Sequence, residues 1–319
     1  MNRPFQIVLK AARRLLLPFH HNKPQPPVVT VSRQEAAKMI RECLEGDKPA
    51  MIARFGCTEL NTVANYLGVK NSPHSVWKFV TWKAFQWWWE PAWVKAIEQN
   101  AGFFPVNEET LARYAELTLQ DASQLDILGS RFYKEQYIKD YLPDDCRRCL
   151  LFDLQPTYAA EDVSGEWTQA LKGKNVLVVY PFEETIRRQY EKRTLLFRNP
   201  DFMPEFNLLT VKAVQSLGGN SDFEDWFAAL QYMKEEMDKV QYDIAIIGCG
   251  AYGFSLAAHA KRTGHKAIQL GGATQLLFGI TGKRWEEGNY DIPVNEHWCR
   301  PCEADRPASY KKVEGGCYW

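Results

Sequence analysis

Two short runs that are apolar at every position, Val176-Leu177-Val178-Val179 and Ile244-Ala245-Ile246-Ile247, constrain this chain more than any other feature, because each is followed by a helical pattern. A strand with one wet face alternates apolar and polar residues, so a continuous run predicts a strand covered on both faces, as in a parallel sheet. The surrounding pattern repeats the theme. Strands are predicted over Pro49–Arg54, Gly102–Val106, Asp126–Leu128, Cys149–Phe152, Lys174–Tyr180, Asn207–Lys212, Asp243–Ile247 and Lys266–Leu270. Between them, Ser32 with Glu35 has capping-box spacing and opens a helix to Leu44, and a helix entered through Phe55–Leu60 runs to Leu67 with Gly68 as its cap. Further helices are predicted over Glu183–Leu196, Phe223–Val240 and Phe254–Thr263, with a helical turn at Thr274–Gly279. Strands alternating with helices in this way predict an α/β, Rossmann-like fold, a largely parallel sheet with helices on both faces.

The predicted organisation has three parts: a basic segment and Pro-rich linker over 1–27, an α/β domain over 28–298, and a C-terminal tail over 299–319. Residues 1–23 carry Arg3, Lys10, Arg13, Arg14 and Lys23 with no acid, interleaved with apolar residues such as Ile7, Leu15 and Phe19. This segment is too short in its apolar runs to span a bilayer. It is suited either to lying on an anionic leaflet or to packing as an arm on the body of the protein. Asn22-Lys23-Pro24-Gln25-Pro26-Pro27 is an extended linker by its proline content.

Lys and Arg total 39 against 39 Asp and Glu, so the chain as a whole is neutral and is not a general nucleic-acid binder. The charge is unevenly placed, however: Arg187, Arg188, Lys192, Arg193 and Arg198 cluster, whereas Asp222–Asp238 is acidic. Eight cysteines in 319 residues are too few for a disulfide scaffold, and no secretory signal opens the chain, so a cytoplasmic setting is expected. Cys146–Cys149 and Cys299–Cys302 have the CxxC spacing of zinc ligands but lie far apart, and Cys149 runs into an apolar stretch; reduced thiols are expected. Trp87, Trp88 and Trp89 are consecutive and cannot all share one helix face, which suggests a groove as well as core packing.

In a parallel sheet, ligands bind beyond the carboxyl ends of the strands, which directs attention to the loops after Arg54, Tyr180 and Ile247. The last reads Gly248-Cys249-Gly250-Ala251-Tyr252-Gly253, a GxGxxG between strand and helix whose glycines Gly248, Gly250 and Gly253 permit a tight turn and close approach to a phosphate. Glycines needed only for packing would read the same. A nicotinamide-dependent oxidoreductase would also need an acid ending the next strand, where this chain has Gly271-Gly272. On the helix after Tyr180, Arg188 and Lys192 share a face with Arg193 following, cations able to meet a diphosphate or simply to solvate a helix face. After the first strand, Arg54 ends an apolar run, Gly56 allows a turn and Glu59 falls in the first helical turn.

Arg54-Phe55-Gly56-x-x-Glu59-Leu60, Asp243–Gly253 and Gly271-Gly272-Ala273-Thr274-Gln275-Leu276-Leu277-Phe278-Gly279-Ile280, spread over most of the folded chain, together resemble bacterial glycosyltransferases of the GT-D type and their GT-D-like relatives. The resemblance implies a Rossmann-like domain transferring a sugar from a nucleotide-sugar donor to a glycan or lipid-linked acceptor in bacterial surface-polysaccharide assembly, at the cytoplasmic side of the inner membrane. It also implies a DxE motif holding Mn²⁺ or Mg²⁺ on the donor diphosphate. The second acid of that motif falls on Glu59, expected as catalytic residue and metal ligand; the first falls on Cys57, a soft thiol where a hard oxygen is required. Arg54, Gly56, Gly248, Gly250, Gly253, Arg188, Lys192 and Arg193 are the expected donor-binding residues. The alternatives are a non-catalytic GT-D-like scaffold of a polysaccharide machine, suggested by Cys57, and the oxidoreductase acting through Gly248–Gly253.

Overall fold

A computed structural model describes residues 2–19, 25–71, 73–216, 222–288, 292–306 and 316–319; Lys23 and the first half of the linker lie outside them. Seven strands form one sheet: β1 (Ala50–Ala53), β2 (Ile127–Ser130), β3 (Arg147–Leu150), β4 (Asn175–Tyr180), β5 (Asn207–Lys212), β6 (Ile244–Ile247) and β7 (Lys266–Gln269). Their order is β3-β2-β1-β7-β6-β4-β5, and every neighbouring pair is parallel. Ile52 lies between Ile127 and Ile268, and Val178 between Ile246 and Thr210.

The continuous apolar runs follow from two cores. Met51, Leu177, Val179, Ala245 and Ile247 point into one, Ile52, Val176, Val178, Ile244 and Ile246 into the other, and all are buried. Helices α3 (Cys57–Lys70), α5 (Pro91–Ala101), α6 (Glu108–Ala122), α8 (Trp226–Asp238) and α9 (Tyr252–Arg262) cover the first face. Helices α2 (Arg33–Glu45), α7 (Glu183–Tyr190) and α10 (Thr274–Leu277) cover the second. The molecule is therefore α/β and Rossmann-like. Acids fix the start of the strands: Asp126 accepts from the Met51 N–H at 2.7 Å and from Lys261 Nζ at 2.7 Å, and Asp243 accepts from the Asn175 N–H at 2.7 Å.

Several elements depart from expectation for identifiable reasons. Residues 102–106 form no strand: α5 ends on Gly102 at φ 74°, Phe103 inserts between Tyr114 and Trp226 at ring separations of 5.1 and 5.5 Å, and Pro105 has no N–H for a ladder. The strand expected over Cys149–Phe152 starts earlier and stops at Leu150, because Leu151–Leu154 turn as a 3₁₀ helix that lays Leu154 over Gly129; a Cβ there would lie 2.5 Å from it. Gly68 is not a cap. It lies inside α3, where Gln86 O passes so close that a Cβ would sit 2.1 Å away. Helix α7 stops at Tyr190, whose hydroxyl is held by the backbone of Phe206, and a 3₁₀ turn over Arg193–Leu195 then buries Leu196 and Phe197.

Trp87–Trp89 are not helical. Asn65, buried on α3, clamps this stretch by donating to Trp88 O and accepting from the Glu90 N–H, both at 2.8 Å. Trp88 packs with Phe79 of α4 (Val76–Val80) and with Leu9 of α1 (Arg3–Leu16), so the N-terminal helix lies on the body of the protein. Residues 299–306 and 316–319, set apart in sequence as a tail, pack on the α/β body as well. Asp305, 2% exposed, accepts from the Thr185 N–H at 2.8 Å and its hydroxyl at 2.7 Å at the start of α7, and Trp319 packs edge-on against Phe182. No described helix is long and apolar enough to cross a membrane.

Candidate functional site

The strand-to-helix turns of β1 and β6 lead to helices on one face and those of β4 and β7 to helices on the other, so the carboxyl edge of the sheet opens into a cleft of about 1030 Å³, its open mouth included. From β1 come Arg54, Gly56, Cys57, Thr58 and Glu59. Arg54 is held at its backbone, where the N–H donates to Gln269 Oε1 at 3.1 Å, and its guanidinium lies against Gly271. Gly271 adopts φ +62°, which favours glycine, and a Cβ there would sit 1.9 Å from Arg54 Nη2 and displace it. Among the described residues Arg54 makes no ion pair. A half-buried cation without a counter-charge, at the edge of a cleft, is suited to an anionic ligand.

Gly56 is the N-cap of α3 and offers no side-chain cap, so the first N–H groups of a 14-residue helix are left to the cleft. Glu59 curls back over this turn: a Cβ on Gly56 would lie 1.9 Å from its Oε2. Glu59 is the only carboxylate side chain among the described residues lining the cleft.

The glycines of the β6 loop have three distinct roles. Gly248 lines the cleft and is also closely packed, since a Cβ would meet Gly271 O at 2.3 Å and Tyr180 Cε2 at 2.7 Å. Gly250 is exposed and takes φ +56°, and Gly253 lets α9 approach the Gln269 side chain. The N–H groups of Ala251, Tyr252 and Gly253 already donate to the carbonyls of Ala101, Cys249 and Gly250. Those of Cys249 and Gly250 have no partner among the described residues and are the donors this loop leaves to a ligand. Burial pushes the Cys249 thiol up, so it is a packed, protonated group. Opposite, the Tyr180 hydroxyl donates to Gln275 Oε1 at 3.1 Å, and burial holds its phenol well above the ordinary range.

Sequence reasoning missed the residues that close the cleft from the C-terminus. Arg284 donates to the Tyr318 hydroxyl, the Tyr318 ring covers Gly272 so closely that a Cβ there would lie 2.5 Å from it, and Trp319 completes the wall. Asn100 and Ser216 also line it, Ser216 being held by Tyr252 at 2.6 Å. None carries a motif; only the glycines at 271 and 272 hint that something must approach.

The expected cations of α7 are elsewhere. Arg188 is exposed and paired with Glu184 at 2.8 Å, Lys192 is exposed, and Arg193 pairs with Glu205 at 3.4 Å. They miss the cleft because it is the acidic N-terminus of α7 that meets the carboxyl edge of the sheet, while the helix ends early and turns its basic end away. Cys57 lines the cleft, and Asn61 Nδ2 donates to its Sγ at 3.8 Å. Beside it Lys134 is packed under Trp93 at 4.1 Å, and burial lowers its ammonium to about 8.

Among the described residues the cleft holds no all-protein cage for Mn²⁺ or Mg²⁺. Glu59 is the one carboxylate side chain among the described residues lining the cleft, and Cys57, at the other position of the motif, offers a soft thiol. No group of three or more His, Cys, Asp or Glu residues suited to a metal occurs among the described residues. Cys146 and Cys149 face opposite cores and cannot share a zinc ion. The end of β7 has Gln269 and two glycines in place of an acid for a nicotinamide ribose.

No protein-family model and no curated protein matches this chain. A solved structure described as the selenomethionine-substituted domain of unknown function 1792 is similar at 15% identity, covering 82% of this chain and 81% of its own, with a TM-score of 0.40.

Proposed function

We propose that this protein is a glycosyltransferase that moves a sugar from a nucleotide-sugar donor to a glycan or lipid-linked acceptor of a bacterial surface polysaccharide. The observation that carries the reading is one cleft shared by the Arg54 guanidinium, the start of α3 without a side-chain cap and the N–H groups of Cys249 and Gly250, none of which has a partner among the described residues. Such a set of donors suits a diphosphate: an arginine with no ion pair among the described residues, one helix dipole and backbone amides. Transfer forms a bond from the acceptor oxygen to the anomeric carbon and breaks the bond from that carbon to the donor phosphate oxygen. The bonding pair leaves with the diphosphate, whose added charge Arg54 and the α3 N-terminus offset. The acceptor proton goes to Glu59, the carboxylate lining the same cleft. No step is assigned to a metal.

Calorimetric titration with a panel of nucleoside diphosphates and nucleotide sugars, with and without Mn²⁺, tests the reading. Micromolar binding weakened by Arg54→Ala supports it; no binding by any member of the panel overturns it. A second reading, a binding protein without turnover, draws on Cys57 at the first position of the DxE motif. It predicts that Glu59→Ala, if normally folded, leaves the cellular glycan unchanged.

A further inference from the structure

Helix α1 has two unequal apolar flanks. Leu9 and Arg13 turn inward, Arg13 stacked over Phe79 at 4.4 Å and Trp82 at 3.9 Å, while Lys10 pairs with Glu90 at 2.5 Å. The opposite flank carries Ile7, Val8 and Leu15 at helical spacing, and Leu15 is 75% exposed. Arg3, Ile7 and Arg14 follow one another at i, i+4 and i+11, so two arginines border this strip, and neither pairs with an acid among the described residues. On α4, packed beside α1, Phe79 and Val80 are buried but Trp77 is 68% exposed.

Charge in this region is of one sign. Residues 2–19 and 73–89 contain no Asp or Glu, whereas Lys78 and Lys83 add exposed cations; the first acid, Glu90, is already engaged by Lys10. An aliphatic strip bordered by arginines, with an indole beside it, is the chemistry of an interfacial helix: apolar side chains enter the acyl boundary, cations meet headgroup phosphates, and tryptophan lies between them. A nucleic-acid surface would have no use for Leu15 and Val8.

We infer that α1 and α4 dock this protein onto an anionic membrane surface, with Ile7, Val8 and Leu15 inserted and Arg3 and Arg14 on headgroup phosphates. The inference stands apart from the chemistry of the cleft, since docking is read without donor or acceptor.

The test is flotation of the full chain with vesicles of equal parts phosphatidylglycerol and phosphatidylcholine, against phosphatidylcholine alone. Binding to the anionic vesicles only, weakened as salt is raised, is expected. Arg3→Gln with Arg14→Gln is expected to lower the partition coefficient about thirtyfold, from about 1 kcal/mol for each cation near an anionic surface. Leu15→Ser, at an exposed site where folding is unaffected, is expected to weaken binding at any salt concentration. Equal binding to both vesicle types, no binding to either, or unchanged partition of the arginine variant with an intact melting curve would each overturn the inference. So would a stable dimer in sedimentation that Leu15→Ser dissociates, which would assign the strip to a second copy of the chain.

Discussion

Gly56→Ala separates the pose of Glu59 from the stability of the fold. Gly56 has φ −72° and ψ 152°, which alanine adopts without strain. Alanine is a poorer N-cap than glycine, a cost of about 0.5–1 kcal/mol, and the reduced freedom of the unfolded chain offsets it by about 0.4–1 kcal/mol. The net change is therefore within about 0.5 kcal/mol, or about 1–2 °C in Tm for a chain of this size. The new Cβ would nevertheless lie 1.9 Å from Glu59 Oε2 and 2.4 Å from its Cδ. Ordinary contact begins at 3.4 Å, so the carboxylate must retreat by about 1.5 Å. A misplacement of about 1 Å at a reacting group costs on the order of 10²-fold in rate. Donor affinity, which rests on Arg54 and backbone amides, should change less than about threefold, well under the effect of losing a charged hydrogen bond. The assay pairs release of nucleoside diphosphate at saturating donor with calorimetric donor affinity and a melting curve. Wild-type turnover in a variant with unchanged Tm would refute the assignment of the proton-accepting role to Glu59 in this pose.

Three further outcomes follow from the same geometry. Arg54→Ala should weaken donor binding about 10- to 100-fold, the worth of a charge-assisted hydrogen bond, with little change in Tm; calorimetry reads it directly. Gly271→Ala should lower stability by about 1–2 kcal/mol for a left-handed alanine and also displace the Arg54 guanidinium, so urea unfolding and donor affinity should both fall. Lys134 is lowered from 10.5 to about 8 by burial, so above pH 8 the unfolded chain binds more protons than the folded one, and the stability lost to the buried charge is recovered as pH rises from about 8 to 10.5. Lys134→Met should thus be the more stable protein at pH 7, and its advantage in urea should shrink by about 2 kcal/mol by pH 10; an advantage independent of pH would exclude a buried ammonium as its cause.

The sheet was legible because burial on both faces leaves a direct signature. Asn207–Lys212 matches its predicted span, and β4, β6 and β7 differ by a residue at one end. Ser32 and Glu35 form the expected reciprocal cap, a contact made entirely within four residues. Elements failed where a distant residue decided the local conformation. Gly68 looks like a helix end until Gln86, far along the chain, is seen to occupy the space of its missing side chain. Phe103 is apolar and near Pro105, which suits a strand as well as a plug between Tyr114 and Trp226, and only the tertiary ring cluster chooses.

The same distinction governs the cleft. Arg54, Gly56 and Glu59 lie within six residues on one strand-to-helix turn, so their proximity is implied by the turn itself. For Arg188, Lys192 and Arg193, helical spacing implied only that they share a side of a helix; where that side points depends on which end of α7 meets the sheet. Charge makes this separable. The first turn of α7 holds Glu183 and Glu184, which suit the positive end of the helix dipole, and the last holds Arg187 and Arg188, which suit the negative end. A helix so arranged is satisfied by itself and by its i, i+4 pairs, with no cation left over for a ligand. Among the described residues Arg54 has no such partner, it begins no helix, and α3 has no side-chain cap. The charge that a fold leaves unanswered, rather than the charge that a sequence accumulates, is what points to the diphosphate.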